Sequence, residues 1–462
     1  MMPQSGPPAA HAFLEFVNAS PTPFHAVSVA ARRLEKNGFR KVLKEQDNWD
    51  NDLKEGGKYY FTRNQSSLLA FTLPPKWKSG TGLSIVATHV DSPNLRIRPT
   101  SKKSKLGYLQ VGVETYGGGL WHTWLDRDLS VAGRVVVADN IGSGYTSKLI
   151  KVDKPVLRIP NLAIHLSRDV NDSFKFNKES EFVPVLGMAS TELNAPTGDE
   201  KASKESIGPQ NHHPALLSLL ADELSVAPGN IADMELSLYD TQPSTLGGIA
   251  NEFIFSPRLD NLLSSFCAVE AIAQGSHNAE GNINCIALFN HEEVGNVSTS
   301  GAGGSLIPLL LQRLSPEPSA YAQSISKSFL ISADMTHAVH PSYAGKHEEN
   351  HQPQINQGIA VKINHQQRYA TDAIGTFLVR KLVERKGGKV QEFVARNDMA
   401  CGSTVGPMLS KIGIRTVDVG NPMLSMHSCR EMAGSHDVQA AIDLFESFFE
   451  GFAVLDAQLN LD

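Results

Sequence analysis

Two histidines and three acids of this chain each stand just beyond a short stretch that reads as a strand. His89 follows LSIVAT (Leu83–Thr88), and Asp260 follows Phe253–Phe255. Glu293, preceded by His291 and Glu292, follows NINCIALFN; Asp334, with His337 and His340 beyond it, follows FLISA; His427 lies a little past RTVDVG. Zinc accepts imidazole nitrogen and carboxylate oxygen, and a catalytic site leaves a position open for water. Two metals roughly 3.5–4 Å apart can share a bridging carboxylate and polarise a water between them. Neighbouring Glu292 and Glu293 can divide the work, one binding metal and the other taking a proton from that water. Asp91, two residues past His89, can hydrogen-bond the distal imidazole nitrogen, as groups behind metal-bound histidines do. Each residue also has a plainer reading: a turn or helix cap, a solvated Glu292-Glu293 pair, an Asx turn at Asp91 before Pro93. Their joint placement along one sheet edge favours a site.

That placement needs a sheet whose strand ends line up. From Met234 onward the pattern alternates. Strands are expected at Met234–Leu238, Asn284–Phe289, Ser328–Ser332, Gly358–Ile363, Val390–Val394 and Arg415–Val419, and helices at Leu259–Gln274, Ser319–Ser326, Asp372–Glu384, Gly402–Lys411 and Gln439–Leu455. Such alternation predicts an α/β fold with a mostly parallel sheet flanked by helices, where sites form beyond the carboxyl ends of strands. Lys58–Arg63 and Ser67–Leu73 read as paired strands before it. Between about residues 96 and 234 the texture is β-rich and turn-rich, with strands at Gly107–Glu114, Ala132–Val137 and Val156–Ile159 and a polar loop from Asn194 to His213. The expected domains are therefore 1–95 and 235–462, forming one catalytic unit, and 96–234, an inserted β-rich domain.

The 462 residues are 41% hydrophobic and 19% charged, values of an ordinary globular enzyme. A net charge of −6 and no basic stripe give no reason to expect a nucleic-acid partner. No apolar run is long enough to span a membrane, and the N-terminus lacks the pattern of a secretory signal. The four cysteines form no CxxC pair and are expected to be reduced thiols.

Several segments resemble the aspartyl aminopeptidase family of metallopeptidases. They are THVDSP (Thr88–Pro93), YGGGLWHTWLDRDL (Tyr116–Leu129), LAIHLSRDVN (Leu162–Asn171), SPRLDN (Ser256–Asn261), FNHEEVGN (Phe289–Asn296), SADMTHAVHP (Ser332–Pro341), NHQQRYAT (Asn364–Thr371), CGSTVGP (Cys401–Pro407) and SMHSCRE (Ser425–Glu431). The resemblance implies two Zn2+ ions per subunit, with Mn2+ or Co2+ as substitutes. His89 and Asp334 would bind one ion, Glu293 and His427 the other, and Asp260 would bridge them. It also implies a cis peptide after Asp260, a metal-bridged water as nucleophile, Glu292 as general base with Asp91 in support, and peptides with an unblocked N-terminal Asp or Glu as substrates. His337, Lys362 and Tyr369 match the family's substrate pocket, although a lysine in GIAVKI could also snorkel to solvent. The resemblance further implies that the inserted domain dimerises, that dimers build a tetrahedral dodecamer, and that His165 reaches a neighbouring subunit's site. The WHTW motif is expected to pack within the inserted domain. The expected compartment is the cytoplasm, with the vacuole as the alternative because some family members carry a vacuolar propeptide. Two other readings compete: a broader zinc aminopeptidase or deacylase on the same scaffold, and a non-catalytic shell or transport cargo.

Overall fold

The computed structural model describes residues 6–42, 53–139, 144–190, 211–275 and 281–460. Its chain contacts divide into two units, Met1–Ser92 with Ser244–Asp462, and Pro93–Pro243.

The first unit is built on a nine-stranded sheet. Numbered along the chain, its strands are β1 (Arg40–Lys41), β2 (Lys58–Arg63), β3 (Ser67–Thr72), β4 (Leu83–His89), β13 (Ile283–Phe289), β14 (Phe329–Ala333), β16 (Ala360–Ile363), β17 (Gln391–Val394) and β18 (Arg415–Gly420). They run in the order β1-β2-β3-β13-β4-β14-β18-β16-β17. The centre, β13-β4-β14-β18, is parallel, whereas β3 and β16 join it antiparallel. Both β4 and β13 are buried at every residue. Strands covered on both faces read as near-continuous apolar runs, which is why LSIVAT and INCIALF show no alternation.

Successive side chains leave a strand on opposite faces. Val86 therefore joins a core layer under the helices Pro8–Asn18, Pro23–Lys36, Leu259–Gln274, Ala373–Glu384 and Asp437–Asp456. Ile85 and Ala87 join the opposite layer, under Leu306–Leu314, Pro318–Lys327 and Gly406–Ser410. The parallel register lines up the strand ends: Phe289 pairs with His89, and Ser332 with Ala87. The residues after β4, β13 and β14 thus emerge along one edge.

A second, five-stranded sheet in this unit stands beside that edge in the chain. It comprises β11 (Thr245–Gly247), β12 (Phe253–Ser256), β15 (Thr336–His337), β19 (Pro422–Leu424) and β20 (Glu431–Gly434), ordered β11-β12-β20-β19-β15. Of these, only β12 had a counterpart among the expected strands. The others are two to four residues long, too short for periodicity to reveal.

The other unit is a six-stranded antiparallel sheet of β5 (Asn94–Lys105), β6 (Tyr108–Tyr116), β7 (Leu129–Ala138), β8 (Tyr145–Lys151), β9 (Val185–Met188) and β10 (Ile231–Asp240). Met234–Leu238 lies in β10 and pairs with β7, so it does not open the parallel series, and the first unit resumes at Ser244 rather than near residue 235. Local pattern cannot choose between two sheets; only long-range pairing does. Val156–Ile159 makes isolated bridges instead of a strand. The helices Pro214–Leu224 and Leu306–Leu314 had no counterpart in the sequence reading, and Gly402–Lys411 contracts to Gly406–Ser410. Most of the polar stretch Asn194–His213 lies outside the described residues. WHTW forms a 3-10 turn in which Trp124 is buried and Trp121 meets Phe182 edge-on. Among the described residues no helix is long and apolar enough to cross a membrane.

One aromatic cluster packs the two helices Pro8–Asn18 and Pro23–Lys36 with the helix Leu259–Gln274 in the first unit. Phe266 is fully buried, with its ring 5.7 Å from Phe13 and 5.6 Å from Phe16. Phe266→Ala is expected to destabilise the protein by roughly 3–5 kcal/mol, seen as a lowered denaturation midpoint; a loss within about 1 kcal/mol would contradict this packing.

Candidate metal centre

His89 is the last residue of β4, and its ring is buried. Its Nε2 lies 3.3 Å from Asp260 Oδ1 and 3.4 Å from Asp334 Oδ1. The other Asp260 oxygen, Oδ2, lies 3.1 Å from His427 Nε2, which is 3.4 Å from Glu293 Oε2. One carboxylate therefore faces two ligand sets, His89–Asp260–Asp334 and Asp260–Glu293–His427, each compact enough to hold a metal ion. Glu292 approaches His89 Nε2 only to 3.9 Å, the longest of these contacts, which places it beside the first set.

The chemistry of the donor set fits cations. His89 Nε2, Asp260 Oδ1 and Glu293 Oε1 are buried without a hydrogen-bond partner in the structure. Leaving such atoms unsatisfied costs about 1–3 kcal/mol each. Burial also penalises the clustered negative charge. It pushes Glu292 up to about 8 and Glu431 up to about 8, and it raises Glu293 well above the carboxylate range, with Asp260 adding to each. Burial would raise Asp260 too, but the close approach of His427 and His89 holds it far below its ordinary value. Burial lowers His89, yet Asp260, Asp334 and Asp91 together hold it well above its usual range, a sign of a strongly negative field.

The loops that present these groups are tied down by short polar contacts. Ser265 Oγ donates to the His89 carbonyl at 2.8 Å, and Ser92 Oγ to the Asp260 carbonyl at 2.6 Å. Asn261 Nδ2 donates to the Ala333 carbonyl at 2.8 Å, linking the Asp260 loop to the end of β14, and the Asp260–Asn261 peptide is cis. Arg258, His291 and His427 adopt left-handed backbone (φ 57°, 65° and 67°). Non-glycine residues hold that conformation when their surroundings over-determine it.

Asp91 acts differently from the sequence expectation. His89 Nδ1 lies 3.0 Å from the Asp91 backbone carbonyl, while the Asp91 carboxylate is 3.6 Å away, too far for a hydrogen bond. The carbonyl contact suits an Nδ1–H donor and leaves the Nε2 lone pair available to a cation. The Asp91 carboxylate instead accepts the amide N–H groups of Glu292 and Glu293, both at 3.1 Å. It holds the loop that carries both glutamates.

The residues matched to a substrate pocket are distributed unevenly. Lys362 is buried, and its ammonium meets the Asp334 carbonyl (3.2 Å), Asp334 Oδ2 (3.4 Å) and the Met335 carbonyl (3.0 Å), so it does not snorkel to solvent. It also lies 4.9 Å from the centre of the buried Tyr369 ring. His337 keeps an exposed side and packs edge-on against Phe393 at 5.7 Å; crowding by surrounding protein and then the Lys362 charge lower its pKa. His340 accepts the Ser342 N–H through Nδ1. His165 belongs to the other unit, exposed in the turn Ile164–Leu166. Sequence reasoning passed over Glu431, whose buried carboxylate accepts the backbone N–H of Asp260 and of His427. Its signal was present in SMHSCRE, an acid four positions after the proposed ligand.

Residues 16–449 match the family described as aminopeptidase I zinc metalloprotease (M18). The chain is 48% identical to aspartyl aminopeptidase 1 of Schizosaccharomyces pombe over 97% of its own length and 96% of that protein's. It is also 48% identical to the aspartyl aminopeptidase of Aspergillus oryzae, over 97% of each. Among solved structures, a chain from the complex of Ape4 and Nbr1 superposes with a TM-score of 0.94 at 47% identity, over 98% of this chain and 87% of that one. The S. cerevisiae mApe1 dodecamer superposes with a TM-score of 0.85 at 31% identity, over 98% and 99%. Matched along nearly its whole length, the chain belongs to the aminopeptidase I zinc metalloprotease (M18) family and is a metallo-aminopeptidase, a hydrolase.

Proposed function

We propose that this protein removes an unblocked N-terminal Asp or Glu from peptides at a two-zinc centre. His89 and Asp334 would hold one ion, Glu293 and His427 the other, with Asp260 between them. The observation that carries the reading is the division of the Asp260 carboxylate, one oxygen toward His89 and Asp334 and the other toward His427 and Glu293. The acidic preference draws support from the aspartyl aminopeptidase relatives. When bound, zinc, or Mn2+ or Co2+ in its place, supplies Lewis acidity that polarises a carbonyl and lowers the pKa of water.

The chain's own groups do the rest. Glu292 sits at the rim of the ligand set, where burial pushes its carboxyl up to about 8 on this chain alone; cations bound beside it would lower that value and keep it ionised. From there the Glu292 carboxylate can take the proton of the attacking water and return it to the leaving amine. Asp91 holds the Glu292 amide, so the base approaches from a fixed loop. Lys362 places a buried positive charge beside Asp334, and His337 offers an exposed ring edge near it. With Tyr369, they are the groups we assign to the acidic side chain. A broader substrate range is the second reading. It is favoured by the three acceptors that Lys362 already has on its own chain. We further propose assembly through dimers into a tetrahedral dodecamer, with His165 of one subunit completing a neighbour's pocket; the dodecameric relative supports this.

Glu292→Gln is expected to retain bound zinc and lose about 10²–10⁴-fold in kcat; turnover near wild type would remove Glu292 from the base role. Asp260→Ala is expected to strip both ions, whereas His427→Ala strips mainly one, as read by elemental analysis after dialysis. Equal losses in the two variants would count against a shared carboxylate. On a panel of N-terminal Asp, Glu, Leu and Ala substrates, Lys362→Met is expected to lower the Asp-to-Leu ratio by roughly tenfold or more, the weight of one charge-assisted bond. An unchanged ratio would support the broader reading.

A further inference from the structure

We propose that Glu431 is a positioning residue, whose carboxylate sets Asp260 and His427 at the spacing the metal centre requires. The proposal rests on the metal-centre reading above. Glu431 is buried, and each of its oxygens has its own task. Oε2 accepts the Asp260 N–H at 3.2 Å, and Oε1 accepts the His427 N–H at 2.7 Å. One rigid group thus joins the backbones of two ligands that are remote in sequence. Their side chains meet at 3.1 Å, between Asp260 Oδ2 and His427 Nε2.

The clamp is anchored in the small sheet. Glu431 opens β20 and pairs directly with Ser256, the last residue of β12, after which the chain turns to Asp260. Arg430, beside it, donates to the Phe255 carbonyl at 3.1 Å, fastening the same two segments. His427 needs such a restraint, because it occupies left-handed backbone without being glycine, as does Arg258 on the other arm. A neutral side-chain amide offers only one acceptor oxygen. A carboxylate satisfies two at once and binds them more strongly than an uncharged oxygen would.

Asp91 performs the parallel task for Glu292 and Glu293. Two carboxylates outside both ligand triads therefore fix the backbones of four residues at the centre.

Glu431→Gln keeps the shape but turns one oxygen into an N–H donor, which would face an amide donor. Metal-free wild type and variant are titrated with Zn2+ by calorimetry and with Co2+ by visible absorption. Groups behind metal ligands typically govern about 10–100-fold in affinity. We expect one zinc-binding step to weaken by that factor and the Co2+ spectrum to change. The unfolding midpoint of the metal-free variant should fall, because one buried amide loses its acceptor, while the protein stays folded, and kcat should fall more than KM rises. Wild-type affinity and an unchanged spectrum in the folded variant would overturn the proposal. Should the Gln variant not fold, Glu431→Asp, which keeps the charge on a shorter arm, is judged by the same two measurements. Failure of the wild type itself to bind zinc would instead sink the metal-centre reading.

Discussion

The Asp260 carboxylate faces two ways, and the rest of the centre is arranged around it. A side chain can serve two ligand sets only if its backbone is held and each set arrives from its own direction. Here one set comes from the ends of the parallel strands, His89 from β4 and Asp334 after β14. The other comes from the loop after β13 and from the loop between β19 and β20, as Glu293 and His427. The large sheet supplies the strand ends, and the small sheet brings the Asp260 and His427 segments into register.

Gathering acids in this way works against folding. Desolvation favours their neutral forms, and neighbouring carboxylates repel. The structure offsets part of that cost with directed donors: two backbone amides on Asp91, two on Glu431, and the Lys362 ammonium on Asp334. What these donors do not reach are the atoms that point inward, His89 Nε2, Asp260 Oδ1 and Glu293 Oε1. The donors fix where these side chains stand and leave those buried atoms without a hydrogen-bond partner on the chain. Lys362 shows the tension most clearly. The family resemblance implies a substrate contact for it, and in the structure its ammonium meets Asp334 and the Met335 carbonyl.

Much of this was legible in the chain. Strands buried on both faces must be apolar throughout, so LSIVAT and INCIALF declared themselves, and polar residues just beyond them had to lie at an edge. The helix ending at Gln274 was legible because its length and composition are local properties, whereas the non-helical backbone of Asp260 and Asn261 at its start was not. By contrast, β15, β19 and β20 carry too few residues for any period, and Met234–Leu238 could join either sheet.

Sequence by itself determined the residue types of the centre, the strand ends that carry most of them, and the motifs that marked the family. Tertiary structure decided how those residues divide: which oxygen of Asp260 meets which histidine, and that Asp91 clamps amides instead of the His89 ring. It also decided that Glu431 joins the backbones of Asp260 and His427 and that Lys362 turns toward Asp334. Those are relations between groups brought together by folding from distant parts of the chain. Their bonds depend on distances of a few tenths of an ångström, which no local pattern of residue types encodes.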